Sequence, residues 1–262
     1  MSTDWLVSPR ANPTAAVRLF CVPPSGAGSS AYRGWAENLD RRVDVRYVQL
    51  PGRENRFREP PFTALDRLVA ALSTELSGLL DRPYAFYGHS FGAIIAFETI
   101  RELRKRGFAE PEHLFVSASR APHLPWMHSP VRHLEGSSLL REVHRRYQSV
   151  PREFLDDAEI HDLVVPALRA DLTMVETYSY AHEPPLECGI TAVGGNHDQM
   201  VDATALALWG NHSDAEFVVH MLDDGHMFLQ TKRARLLEIV SKALGRRAQI
   251  ELATGVGRTS DG

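Results

Sequence analysis

Short apolar runs alternate with stretches of helical spacing along most of the chain. VRLFCVPP, VDVRYVQLPG, PYAFYGHS, EHLFVSAS, LECGITAVGG and EFVVHML read as strands. Between them LDRLVAALSTELSGLL places apolar residues on one helical face, and AIIAFETIRELRKRG begins apolar and ends basic, as a helix C-terminus prefers. KRARLLEIVSKALG reads as the last helix, and the polar end, residues 251–262, as a disordered tail. Strands alternating with helices predict a mostly parallel sheet with helices on its faces, an α/β fold in one domain over residues 1–250.

The alternation breaks between His123 and about Pro185. Two helical patterns, SSLLREVHRRYQ and AEIHDLVVPALRADLTMVETY, follow each other there with no strand between them. That is long for one crossover in a compact domain, so the segment is expected to be an inserted helical lid.

PYAFYG runs straight into a serine held between two glycines, Gly88-His89-Ser90-Phe91-Gly92. This G-x-S-x-G spacing lets a chain turn sharply from strand to helix and leaves the serine at the apex, where a Cβ at either flank would block the turn. At about 7% each of Gly and Ser, a chain of this length matches the spacing by chance about one time in ten. The strand-like run before it and the helical run after it supply the context the motif requires.

A serine hydroxyl needs a base, and the base an orienting acid, in the chain order Ser, acid, His. His226, in the Gly-containing loop LDDGHMFL after the last strand, is the expected base, whereas His220 lies within that strand and reads as structural. Asp198, following ITAVGGNH at a strand's end, is the expected acid. Asp202 is its main competitor, Asp223 and Asp224 stand too near His226 in sequence, and His197 reads as a loop residue. The oxyanion donors are expected to be the N–H of Phe91 and, from the loop PPSGAGSS, that of Ser25 or a neighbour, because Pro24 has none.

Composition narrows the partners. The chain has 262 residues, 44% hydrophobic and 24% charged, with a net charge of -4 that gives no electrostatic case for nucleic acid. It shows no apolar run of membrane-spanning length and no charged or apolar leader, so a cytoplasmic protein without membrane contact is expected. Cys21 and Cys188 read as buried core thiols, and the 12 histidines form no metal-binding spacing, so neither metal nor organic cofactor is expected.

The stretches LFCVPPSGAGS, VQLPGRENRFREPPF, YGHSFGAIIAFE, LFVSASRAP, VPALRADLTMVETYSY, GGNHD and DGHMFL, in this order from about residue 18 to 240, resemble the type II thioesterases that serve modular polyketide and nonribosomal peptide synthetases. The resemblance implies an α/β-hydrolase fold, a helical lid between the sixth and seventh strands, and Ser90, Asp198 and His226 as nucleophile, acid and base. It implies hydrolysis of acyl groups from the phosphopantetheine arm of carrier proteins, as editing of stalled or misprimed modules. The family usually carries His or Tyr followed by Ala-Gly-Gly after the first proline, where this chain has Pro24-Ser25-Gly26-Ala27.

Carrier domains are typically acidic, so Arg141, Arg145 and Arg146 in the lid are candidates for docking, against the alternative of a solvated helix face. Arg53, Arg56 and Arg58 are candidates for the arm's phosphate, or solvated loop residues. A monomer is expected. The alternatives are a product-releasing thioesterase or general carboxylesterase on the same framework and, in another class, a catalytically silent ligand-binding homologue.

Overall fold

The computed structural model describes residues 4–150 and 152–254. The chain opens with β1 (Leu6–Val7) and β2 (Val17–Val22), a loop, α1 (Trp35–Asn38) and β3 (Val43–Val48). Next come α2 (Leu65–Ser77), β4 (Tyr84–His89), α3 (Phe91–Lys105) and β5 (His113–Ser117). The helices α4 (Gly136–Tyr147) and α5 (Ala158–Thr177) precede β6 (Gly189–Gly195), α6 (Ala203–Ala207), β7 (Phe217–Leu222) and α7 (Arg233–Thr254). All six strands expected from the apolar runs form. The two residues of β1 are too few to show any periodicity.

The strands pair in the order β1-β3-β2-β4-β5-β6-β7, parallel throughout except for β1 against β3. Because side chains alternate along each strand, the sheet buries residues on both sides. Phe20, Phe86, Leu114 and Ile190 pack with Leu72 of α2 and Ile95 and Ile100 of α3. Leu19, Tyr87, Phe115 and Val193 pack on the other side with Trp35 of α1 and Leu236 and Val240 of α7. Cys21 and Cys188 are both buried, and burial pushes the Cys21 thiol well up.

The 123–185 region is helical, as expected, and builds a small core of its own from Leu139, Leu140 and Val143 of α4 with Val165, Leu168 and Leu172 of α5. Asp157 caps α5 by accepting from the N–H groups of Glu159 and Ile160, and the helix runs through Pro166. Buried Glu176 ties α5 to the preceding loop through Arg132 and the N–H of Val131. The region enters between β5 and β6, one strand earlier than the resemblance implies, in a sheet of seven strands. At the C-terminal end α7 continues to Thr254, so residues 251–254, expected in the tail, belong to a helix. The rest of the expected tail, 255–262, lies outside the described residues.

Candidate active site

The elbow forms where the spacing put it. Ser90 joins the last residue of β4 to the first of α3 at φ 54° and ψ −121°, a conformation that costs an L-residue of order 1–3 kcal/mol unless its surroundings enforce it. They do so here. The Ser90 N–H donates to the Ser117 carbonyl of β5 at 2.7 Å. A Cβ on Gly88 would stand 2.3 Å from the Gly92 carbonyl oxygen, and one on Gly92 would stand 2.3 Å from that of Val22. Both obstacles are backbone and cannot swing aside, which is why the flanks are glycine.

At the far end of the sheet's C-terminal edge, the loops after β6 and β7 bring the other two residues in. The Asp198 side chain is fully buried, its Oδ1 accepting from the N–H groups of Met200 and Val201, and its Oδ2 lies 2.8 Å from His226 Nδ1. His226 Nε2 lies 3.0 Å from Ser90 Oγ. With the carboxylate holding the proton on Nδ1, Nε2 is left as an acceptor for the serine hydroxyl.

The competing acids are engaged elsewhere. Asp202 caps α6 through the N–H of Ala205, exposed Asp223 pairs with exposed His197, and Asp224 accepts from Gly225 N–H and Thr231 Oγ1. His220 lies in β7 with its pKa lowered by burial, as a structural residue would.

One residue at the site had no signal in the sequence, because the motif leaves its position free. His89 is fully buried between elbow and base, with Nε2 3.0 Å from the His226 carbonyl and Nδ1 2.8 Å from Ser117 Oγ. Burial, then the neighbouring His226, hold its pKa well below the usual value, so the ring is neutral. A carbonyl only accepts, so Nε2 carries the proton and Nδ1 accepts from the serine.

Phe91 is the first residue of α3, so its N–H lacks an intrahelical partner. In the loop after β2, Ala27 N–H donates to Pro24 and Gly26 N–H to Asp171, while Ser25 N–H donates to no group among the described residues. Ser25, Ser90, Phe91 and His226 all line one cavity, together with Ile94, Val143, Tyr147, Leu168, Leu172 and Val175. Part of the apolar wall comes from α4 and α5, with Pro122, Leu124 and Trp126 of the loop before α4 adding to it, and Tyr147 sets its ring 5.0 Å from that of His226. At about 120 Å3 the cavity far exceeds the 10–15 Å3 or so that one water needs.

The arginines behave differently from expectation. Arg53 and Arg56 are buried rather than solvated or free for a phosphate: Arg53 pairs with Asp171, and Arg56 with Glu59 while lying over the Trp5 ring. Arg58 alone of the three stays exposed, over Phe57. On α4, Arg141 and Arg145 are more than half exposed, but Arg146 is only 8% exposed and lies against Glu142. Arg146 therefore offers a partner much less of its side chain than Arg141 or Arg145 does.

Among the described residues no group of His, Cys, Asp or Glu is arranged to hold a metal ion, and no helix is long and apolar enough to cross a membrane.

A parallel sheet with a serine elbow on its central strand and a buried Asp–His pair facing it is the architecture of the α/β-hydrolases, which the solved neighbours share. Residues 17–244 match the thioesterase domain family, and the chain belongs to it. The chain is similar to the RedJ thioesterase from the prodiginine biosynthetic pathway of Streptomyces coelicolor, at 37% identity and a TM-score of 0.82 over 90% of this chain and 95% of that one. It is also similar to BorB, a type II thioesterase from the borrelidin biosynthetic cluster, at 33% identity and a TM-score of 0.82 over 93% and 97%. Among curated proteins it is 39% identical to one named linear gramicidin dehydrogenase LgrE, from Brevibacillus parabrevis, over 92% of each chain.

Proposed function

We propose that this thioesterase uses Ser90, His226 and Asp198 to hydrolyse acyl groups from the phosphopantetheine arm of carrier proteins, editing stalled or misprimed modules of a natural-product synthase. The observation that carries the catalytic part is the continuous run of hydrogen bonds from Asp198 to His226 to Ser90, at 2.8 and 3.0 Å. Ser90 Oγ attacks the thioester carbonyl carbon as His226 Nε2 takes its proton, and the N–H groups of Phe91 and Ser25 hold the oxyanion. Collapse breaks the C–S bond, and His226 returns the proton to the departing thiolate. Water, deprotonated by His226, then attacks the acyl-serine, and collapse releases the acid and restores the serine.

The carrier-bound substrate rests on the type II relatives. The 123–185 lid exposes Met127, Phe154 and Leu163 as well as Arg141 and Arg145, which pair with Asp156 and Glu142 and are the groups put forward to meet the carrier. Charge reversal at Arg141 and Arg145 is expected to raise KM for carrier-bound substrate while leaving turnover of a free pantetheine thioester unchanged. A monomer in the cytoplasm completes the reading.

A nucleotide-dependent redox reaction, which the name of LgrE brings to mind, finds little support in the local geometry. The string Gly26-Ala27-Gly28-Ser29-Ser30-Ala31 follows β2, but it leads into a four-residue 3-10 turn rather than a helix. The Glu54 carboxylate also fills the space above Gly28, with Oε1 2.7 Å from where a Cβ would stand, opposing an anionic pyrophosphate.

The test is labelling by a fluorophosphonate probe together with hydrolysis of a carrier-bound acyl thioester. Wild type is expected to label on Ser90, and Ser90→Ala to lose labelling and at least roughly 10³-fold in kcat. Absence of labelling on the folded wild-type protein would favour a silent ligand-binding homologue instead.

A further inference from the structure

The lid helix α5 reaches into the loop that carries the second oxyanion donor. Asp171 Oδ2 accepts from the Gly26 N–H at 2.7 Å and from Arg53 Nη1 at 2.6 Å, while Oδ1 accepts from Arg53 Nη2 at 3.0 Å. Arg53 is held in turn, its Nε donating to the Pro51 carbonyl and its Nη1 to that of Ala27. The pair is almost wholly buried, at 5% and 1% side-chain exposure. Further along the same loop, Ser29 N–H donates to Gln49 Oε1, and Ser29 and Ser30 donate to the Glu54 carboxylate. Gly26 itself sits at φ +74°, with Leu168 of α5 3.1 Å from where its Cβ would be.

A buried ion pair is a poor source of net stability, because desolvation cancels most of its Coulomb attraction and an apolar pair of similar volume often does as well. It does fix direction. The bidentate fork holds the carboxylate in one plane, and the carboxylate fixes the peptide between Ser25 and Gly26. The neighbouring peptide, which carries the Ser25 N–H, thereby loses most of its freedom to turn away from Ser90.

We propose that Arg53 and Asp171 are positioning residues for thioester hydrolysis, holding the Ser25 amide at the oxyanion from the lid side. This rests on the assignment of Ser90 as nucleophile and Ser25 as donor given above. It joins three distant parts of the chain, the loops after β2 and β3 and the helix α5, and makes the seating of the lid a condition for a complete oxyanion hole.

The experiment compares wild type with the double variant Arg53→Met/Asp171→Leu, which removes both charges without stranding either. Its readouts are kcat and KM on an acyl thioester of pantetheine, and Ki for the matching trifluoromethyl ketone, whose serine adduct places an oxyanion in the hole. Loss of a whole oxyanion donor costs roughly 10²–10³ in kcat, so a displaced one is expected to cost about 10- to 100-fold. Ki should weaken by the same factor, with KM within about threefold, since the donor acts on the transition state. If the double variant does not fold, Asp171→Asn, which retains an acceptor for Gly26 but releases Arg53, is expected to show the same split with a smaller loss.

A folded variant with wild-type kcat and Ki would overturn the proposal, as would a rise in KM alone. Ser90→Ala separates the two readings. If it is inactive while the pair variants turn over normally, only the positioning role falls. If it retains wild-type turnover, the catalytic assignment falls and takes the positioning role with it.

Discussion

At the residue scale, the site depends on close approaches that leave no tolerance. Gly92→Ala would press a Cβ against the Val22 and Pro23 carbonyl oxygens, at 2.3 and 2.6 Å, so it is expected to cost about 3 kcal/mol in chemical denaturation and to displace Ser90. Asp198→Asn keeps the shape but presents the wrong partner to Nδ1, and is expected to lower kcat by about 10⁴ with little change in KM, measured by steady-state kinetics on an acyl thioester. That Ser90, Asp198 and His226 come together as a candidate site was legible in the sequence, because each follows a strand at a spacing with a mechanical meaning. His89, Arg53 and Asp171 were not. Their places at the site come from contacts across 137, 118 and 145 residues of chain, to the His226 carbonyl, between Arg53 and Asp171, and from Asp171 to Gly26 respectively. No local pattern records such distances, and Arg53 in particular read as a candidate for the arm's phosphate or as a solvated loop residue, not as half of a buried ion pair.

At the element scale, the apolar runs were sufficient to find six strands, since a buried parallel strand is nearly continuous in Val, Leu, Ile and Phe. The region entering between β5 and β6 was legible as an excursion through its length, though its direction relative to the site was not. Its helices turn out to line the cavity, Leu168, Leu172 and Val175 of α5 sharing it with Ile94 of α3. Shortening one of these side chains lengthens the space available to an acyl group. Leu172→Ala is therefore expected to shift kcat/KM toward longer acyl chains in a chain-length series, at a stability cost of about 2–4 kcal/mol. An unchanged chain-length profile in the folded variant would place the acyl group elsewhere.

At the scale of the whole molecule, buried neutral histidines link the fold to pH. His89 has its pKa pushed well down and His212 is lowered to about 4, in both cases mainly by burial. In the unfolded chain both titrate near 6.5. Below that pH the unfolded state binds more protons than the folded one, so stability is complete above about pH 6.5 and falls as pH drops toward 4. The slope is up to about 1.4 kcal/mol per pH unit for each histidine. Denaturant midpoints measured between pH 4 and 8 are expected to decline on the acid side, and a flat profile between 6.5 and 4 would contradict the burial of neutral rings.

The central claim, that Ser90 releases acyl groups presented on a carrier, is tested most directly by kcat/KM for one short acyl group offered on a carrier protein and on free pantetheine, with wild type and Ser90→Ala side by side. The account predicts turnover that prefers the carrier-bound form and disappears in Ser90→Ala. Turnover that survives the loss of Ser90, with the variant folded, would contradict it.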